Sequence, residues 1–323
     1  MTGTGNQANA IVAGDRDALA RAITLVESRR DQDAQRAEEL LQQLLPATGR
    51  SRRIGITGAP GVGKSTLIEA LGIRLCADGQ KVAVLAVDPS SAQSGGSILG
   101  DKTRMAELGR HANAFIRPSP GGDTLGGVAA RTREALLLCE AAGFDVILVE
   151  TIGTGQSEVA VRGMVDYFLL LLSPAAGDEL QGIKRGVMEL ASAVLVHKAD
   201  GDLEAAAHRA AQQCMLALRI LHGGEDVPPP VIIGSSVTGR GLDELWRTIA
   251  DRLTSFERSG ELAALRRQQA VEWLEAAVRE RLVTAFLDDA EVDVAMREAR
   301  LRVERGELLP AAAARQLVRA RRP

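Results

Sequence analysis

The chain has 323 residues, of which 46% are hydrophobic and 2% aromatic, and its formal net charge is −3. This composition predicts a globular protein with a substantial core, and the lack of aromatic stacking residues and of net positive charge argues against a nucleic-acid partner. Because no long apolar run or signal peptide occurs and Cys76, Cys139 and Cys214 are widely spaced, we expect no membrane segment, no disulfide and a cytoplasmic location.

The first part of the chain shows helical periodicity. Apolar residues recur at helical spacing between residues 15 and 45, and the polar stretch from Arg29 to Asp33 interrupts them. We predict two short helices there and assign residues 1–50 to an N-terminal helical segment.

From residue 51 onward, short apolar runs alternate with helical stretches. The runs are 53–57, 81–87, 145–149, 166–172, 193–196 and 231–233. This alternation predicts an α/β fold, a mainly parallel sheet flanked by helices, over residues 51–257. Ligands bind such sheets beyond the carboxyl ends of the strands, where glycine-rich or polar segments follow nearly every run.

The first run leads into an uninterrupted phosphate-binding sequence. Its residues are Gly58, Ala59, Pro60, Gly61, Val62, Gly63, Lys64, Ser65 and Thr66. In this G-x-x-x-x-G-K-S pattern the glycines let backbone N–H groups face the phosphates, the lysine reaches the β and γ phosphates, and the serine hydroxyl can bind Mg²⁺. The helix that follows directs its positive end at the anion. The sequence therefore predicts a P-loop NTPase that binds a nucleoside triphosphate.

Acidic residues after two further runs are candidate Mg²⁺ ligands. Asp88 follows the second run, and Asp101 lies in the glycine-rich stretch beyond it. Asp88 also precedes a proline, where an aspartate commonly caps a helix or forms a turn, so both interpretations stay open. Glu150 directly follows the run 145–149, and we predict that it acts through Mg²⁺.

The segment after Glu150 resembles a switch that senses the third phosphate. Gly153 is the candidate for contact with the γ-phosphate. Gln156 either orients the attacking water or is an ordinary exposed loop residue. Because no arginine or base is placed against the γ-phosphate by sequence, we predict slow hydrolysis by the protein alone.

The run 193–196 is followed by a variant of the guanine-reading N-K-x-D pattern, with His197 in the first place. Asp200 can accept both N–H groups of the guanine edge, which adenine does not offer, and the stem of Lys198 can lie across the ring. These residues favour GTP over ATP. A neutral imidazole only partly replaces asparagine, so we expect weaker base discrimination, and we do not assign His197 as a metal ligand.

The last run is followed by a loop that we predict supports the base from its far side. The candidate residues are Ser235, Ser236 and Val237, with two glycines beyond them. Beyond residue 257 the strand pattern stops, and two amphipathic stretches, 261–287 and 290–321, follow. We assign residues 258–323 to a C-terminal helical extension.

In their residues and order, seven segments resemble the GTPases associated with methylmalonyl-CoA mutase, within the G3E group of P-loop GTPases. They are GDRDALARAITLVES (14–28), GAPGVGKST (58–66), VDPSSAQSGGSILGDKTRM (87–105), RPSPGGDTLGGVAARTRE (117–134), VETIGTGQSE (149–158), GDELQGIKRG (177–186) and RRQQAVEWL (266–274). The resemblance covers nearly the whole chain. The chain departs from the family pattern at His197 and at Ser236, where alanine is more usual.

The resemblance implies a GTPase chaperone that uses GTP, GDP and Mg²⁺. Such a protein couples GTP binding and hydrolysis to loading of adenosylcobalamin onto an acyl-CoA mutase, and to protection and reactivation of that mutase. The mutase would stimulate the GTPase, and a cobalamin adenosyltransferase is a further implied partner. The C-terminal helices would hold a homodimer.

The resemblance also assigns residues. The family's Mg²⁺ and switch positions correspond to Ser65, Asp88, Asp101 and Glu150. Lys184 lies in the loop 177–188, which in the family relays the nucleotide state to the mutase. With Lys64, Glu150 and Gln156, Lys184 completes the set of candidate catalytic residues.

The main alternative is a metal-insertion GTPase of the same group, of the nickel type. That function needs metal ligands, and the four histidines and three cysteines of this chain stand at no ligand spacing. A membrane-transport ATPase or kinase is disfavoured because no membrane segment is predicted and the H-K-A-D pattern favours guanine.

Overall fold

The computed structural model describes residues 3–28, 30–87, 105–118, 125–151, 157–174, 185–223 and 227–320. The chain divides into two compact units, Met1–Gln269 and Ala270–Pro323. No described helix combines the length and apolar character that a membrane crossing requires.

The first unit is built on a parallel sheet. Its described strands are β1 (Arg52–Gly58), β2 (Val82–Val87), β3 (Ala114–Arg117), β4 (Val146–Thr151), β5 (Tyr167–Leu172), β6 (Ala193–Val196) and β7 (Val231–Ile233). They lie in the order β3-β2-β4-β1-β5-β6-β7, and every neighbouring pair is parallel. The α/β prediction is thereby confirmed.

Helices of the first unit cover both faces of this sheet. The described helices of the whole chain are α1 (Gly3–Val12), α2 (Arg16–Val26), α3 (Asp31–Leu44), α4 (Lys64–Ala77), α5 (Leu125–Ala141), α6 (Ser157–Arg162), α7 (Arg185–Leu190), α8 (Glu204–Leu221), α9 (Leu242–Ser259), α10 (Glu261–Leu287), α11 (Ala290–Glu304) and α12 (Pro310–Ala320). Of these, α11 and α12 lie in the second unit, and α10 begins in the first unit and ends in the second. Alternate residues of β4 enter different cores: Ile147 packs with α1, α2, α3 and α5, whereas Leu148 packs with α4 and α9. A strand buried on both faces needs apolar residues throughout, which explains its continuous apolar run.

Two elements were not predicted from the sequence. The edge strand β3 is only four residues long and exists through its pairing with β2, in which Phe115 lies opposite Ala83. Helix α1 has few apolar residues, of which Ala8 and Ile11 are buried in the core shared with α3. In both cases tertiary packing decides the structure where the local pattern is weak. The structure also extends β4 to Thr151, so Glu150 lies inside the strand.

Candidate nucleotide-binding site

The phosphate-binding loop joins the end of β1 to the start of α4, as its sequence predicts. Gly63, which precedes α4, has a φ of +100°, and a Cβ atom there would lie 2.6 Å from Nδ1 of His197. Gly58 has a φ of +150°, and a Cβ atom there would lie 2.6 Å from the carbonyl oxygen of Leu171. Both positions therefore require glycine, for backbone conformation and for close approach.

The side chain of Lys64 contacts the first residues of the phosphate-binding loop. Its Nζ donates hydrogen bonds to the carbonyl oxygens of Gly58 at 2.8 Å and Ala59 at 3.2 Å, and the residue is only 7% exposed. Burial lowers the pKa of the Lys64 amine, whereas the charges of Glu150 and Glu158 act in the opposite direction. The amine is thus positioned at the loop, where an anionic phosphate oxygen would offer it a stronger acceptor than a carbonyl.

Ser65 and Glu150 come together although they lie on different elements. The Ser65 hydroxyl donates to Oε1 of Glu150 at 3.0 Å, and Glu150 is buried near the end of β4. This pair of oxygens therefore fits Mg²⁺ in its chemistry, and its present spacing is that of the hydrogen bond between the two groups. The other candidate ligands, Asp88 and Asp101, lie outside the described residues.

The residues after β6 contact the phosphate-binding loop directly. Nδ1 of His197 lies 2.9 Å from the carbonyl oxygen of Val62, and Nζ of Lys198 donates to the carbonyl oxygen of Gly61 at 2.7 Å. Lys198 has a φ of +59°, which is a strained backbone conformation for a non-glycine residue. Two side-chain contacts therefore connect the H-K-A-D segment to the phosphate-binding loop.

The loop after β7 meets the same segment. Nε2 of His197 lies 2.7 Å from Oγ of Ser236 and 3.3 Å from its backbone nitrogen. The hydroxyl of Ser235 accepts the backbone N–H groups of Val237 and Thr238 at 3.2 and 3.3 Å, a turn that shapes this loop. Val237 is exposed, and Asp200 is half-buried beyond the end of β6.

Some features of the site were missed in the sequence, and some predicted residues are not described. Glu158, at the start of α6, is buried and its charge acts on Lys64. It stands in the segment 149–158, but only the fold brings it near the lysine. The pairing of His197 with Ser236 was likewise not anticipated. Gly153, Gln156 and Lys184 lie outside the described residues.

The geometry is that of a P-loop protein. A comparison of the sequence with family profiles identifies the family of P-loop proteins to which the chain belongs. The profile described as "Methylmalonyl Co-A mutase-associated GTPase MeaB" matches residues 19–291. The chain belongs to this family. The resemblance found in the sequence is confirmed, and this member of the MeaB family is a GTPase that binds guanine nucleotides.

Relatives of this MeaB family member cover almost its full length. It is 53% identical over 312 residues to "Probable GTPase Rv1496" of Mycobacterium tuberculosis, which spans 96% of this chain and 93% of that protein. It is 46% identical over 305 residues to "GTPase ArgK" of Escherichia coli, with coverage of 94% and 92%. A solved structure described as "LAO/AO transport system kinase" superposes with a TM-score of 0.76 at 38% identity, covering 98% of this chain and 96% of that one.

Proposed function

We propose that this GTPase is a chaperone of an adenosylcobalamin-dependent acyl-CoA mutase of the methylmalonyl-CoA mutase type. It would couple GTP binding and hydrolysis to loading of the cobalamin cofactor, to protection of the loaded mutase and to its reactivation, with a cobalamin adenosyltransferase as a second partner. The observation that carries the proposal is the match of residues 19–291 to a family whose description names the mutase.

We further propose that the reaction requires Mg²⁺ held by Ser65 and Glu150, with Asp88 and Asp101 as additional candidate ligands. The chemistry of the two described side chains supports this, because a hydroxyl oxygen and a carboxylate oxygen, which the fold brings into direct contact, are ligands that Mg²⁺ prefers. When bound, Mg²⁺ neutralises negative charge on the phosphate oxygens.

The protein's own groups would then position the phosphates. Lys64 exchanges its two carbonyl partners for phosphate oxygens, and the N–H groups of the loop and of the α4 N-terminus bind the remaining charge. Gly153 is proposed to sense the γ-phosphate, Gln156 to orient the water, and Lys184 to take part in the relay to the mutase. These roles rest on sequence and resemblance.

The proposed partner is tested by GTP turnover of the purified protein, alone and with an excess of a purified adenosylcobalamin-dependent acyl-CoA mutase from the same organism. We expect slow turnover alone and an increase of about tenfold or more with the mutase, because a partner can order the switch or supply transition-state charge. The Lys64→Ala protein with the same mutase controls for contaminating GTPases. An unchanged rate with every such mutase of the organism would leave the GTPase assignment intact and reject the mutase as partner.

We also propose a homodimer formed through the second compact unit. Among its described residues only Val292 and Ala313 are buried apolar side chains. On α10, Val271, Leu274, Val278 and Leu282 are exposed at helical spacing, and Val283 and Leu287 are exposed too. An apolar stripe of this kind on a helix is typical of a helix-packing interface. A second copy of the chain is the occupant that the resemblance implies.

Analytical ultracentrifugation tests the dimer. We expect about twice the mass of one chain, and we expect the double variant Leu274→Glu, Leu282→Glu to sediment as a monomer, since it places charges in the apolar stripe. Leu216→Glu, at an exposed leucine of α8, is the matched control and should stay dimeric. A monomeric wild-type protein at all concentrations, or a double variant that remains dimeric, contradicts the proposed interface.

A further inference from the structure

The geometry around His197 points to a specificity that differs from that expected of an N-K-x-D GTPase. We propose that this protein does not read the N7 atom of guanine and leaves base selection to Asp200. His197 uses both ring nitrogens within the protein, where they connect the phosphate-binding loop to the loop after β7, residues 235–237, which we call the base-support loop. The inference rests on guanine-nucleotide binding and is independent of the proposed mutase partner.

The first ring nitrogen is a donor to the phosphate-binding loop. Nδ1 of His197 lies 2.9 Å from the carbonyl oxygen of Val62. A carbonyl oxygen only accepts hydrogen bonds, so Nδ1 must carry the hydrogen. This contact assigns the tautomer of the ring from its hydrogen-bond partner.

The second ring nitrogen is an acceptor from the base-support loop. The backbone N–H of Ser236 donates to Nε2 at 3.3 Å, and the Ser236 hydroxyl lies 2.7 Å from the same atom. A neutral imidazole with its hydrogen on Nδ1 offers a lone pair at Nε2, so both contacts agree with the tautomer assigned from Val62. Burial lowers the pKa of His197, which favours this neutral form.

The ring therefore has no hydrogen left for the nucleotide. Guanine N7 is a hydrogen-bond acceptor and needs a donor. An asparagine amide carries two N–H hydrogens and can donate to a loop carbonyl and to N7 together, whereas neutral imidazole carries a single one. His197 is also only 2% exposed, and its ring lies so close to Gly63 that a Cβ atom there would clash with it.

His197 is consequently a positioning residue. It joins Val62 of one loop to Ser236 of the other, and Lys198 adds a parallel contact to Gly61 at 2.7 Å. Guanine would still be distinguished from adenine, because Asp200 can accept hydrogen bonds from the N1–H and 2-amino groups.

The test compares the Kd values of GTP, 7-deaza-GTP, ITP and ATP by isothermal titration calorimetry with Mg²⁺. In 7-deaza-GTP a C–H group replaces N7, whereas ITP lacks the 2-amino group. For the wild-type protein we expect the Kd values of GTP and 7-deaza-GTP to agree within about twofold, and ITP to bind roughly five- to tenfold more weakly, the value of about one hydrogen bond. A loss of more than about twofold for 7-deaza-GTP would overturn the proposal.

Variants locate the effect at His197. His197→Asn should create a preference for GTP over 7-deaza-GTP of roughly two- to tenfold, because the amide supplies the missing donor. Ser236→Ala should weaken both nucleotides equally, and His208→Asn, at an exposed histidine of α8, should behave as wild type. If His197→Asn folds, as checked by circular dichroism, and still binds the two nucleotides equally, the assigned cause is wrong. Equal Kd values for GTP and ATP would instead count against guanine selection itself.

Discussion

Replacement of Lys64 by alanine is expected to abolish measurable GTP hydrolysis and to weaken GTP binding. The Lys64 amine is buried at the phosphate-binding loop, where it donates to the carbonyl oxygens of Gly58 and Ala59. Its loss removes the positive charge that would meet the β and γ phosphates and on which the charges of Glu150 and Glu158 act. Removing one such preorganised donor costs about 10²–10³ in kcat, and single-turnover hydrolysis together with a GTP titration measures both effects.

A surface lysine provides the control for this variant. Lys81 is exposed and directly precedes β2, so it lies at the end of the sheet opposite the phosphate-binding loop. Lys81→Ala should keep the wild-type turnover and GTP affinity. If Lys64→Ala retained full binding and full turnover, the assignment of this loop as the catalytic phosphate site would be refuted.

Arg266→Ala is expected to give the largest loss of stability among the changes considered. Arg266 forms a bidentate pair with Asp166, at 2.9 and 2.7 Å, and donates to the carbonyl oxygens of Gly49 and Ser51. The Asp166 side chain is fully buried and that of Arg266 is 15% exposed. Removing the arginine leaves a buried carboxylate without its cation, which costs about 3–5 kcal/mol of unfolding free energy.

Urea or thermal denaturation measures this loss, and an exposed ion pair supplies the matched control. Arg279 lies 3.9 Å from Glu275 with both side chains more than half exposed, so Arg279→Ala should cost only about 0–1 kcal/mol. Arg266→Lys should be intermediate, since lysine keeps the charge but not the bidentate geometry. A loss for Arg266→Ala no larger than that for Arg279→Ala would contradict the proposed contribution.

The contacts of Arg266 also give a structural reason for the segment 266–274, whose role the hydrophobic pattern of the sequence does not explain. Residues 266–274 stood out only through resemblance to the family. In the structure, Gln269, one turn after Arg266, donates to the carbonyl oxygens of Val165 at 2.8 Å and Arg162 at 3.4 Å. Both residues therefore bind the start of α10, which belongs to the first unit, to the connection between α6 and β5.

The sequence by itself determined the features that depend on neighbouring residues. The phosphate-binding loop is one contiguous pattern, and the buried strands are continuous apolar runs, so the α/β class and the place of the loop between β1 and α4 follow from local residue types. The family, too, was recognisable from contiguous segments. The short strand β3 and helix α1 were not, because their local patterns are weak.

Only the tertiary structure decided which distant residues meet. Ser65 contacts Glu150 across 85 positions, Arg266 contacts Asp166 across 100, and His197 contacts Val62 across 135. Such contacts depend on the order of the strands, which places β1 between β4 and β5, and no local pattern encodes that order. The tautomer of His197, and with it the inferred base specificity, follows from packing because a ring nitrogen takes its role from whichever group the fold places beside it.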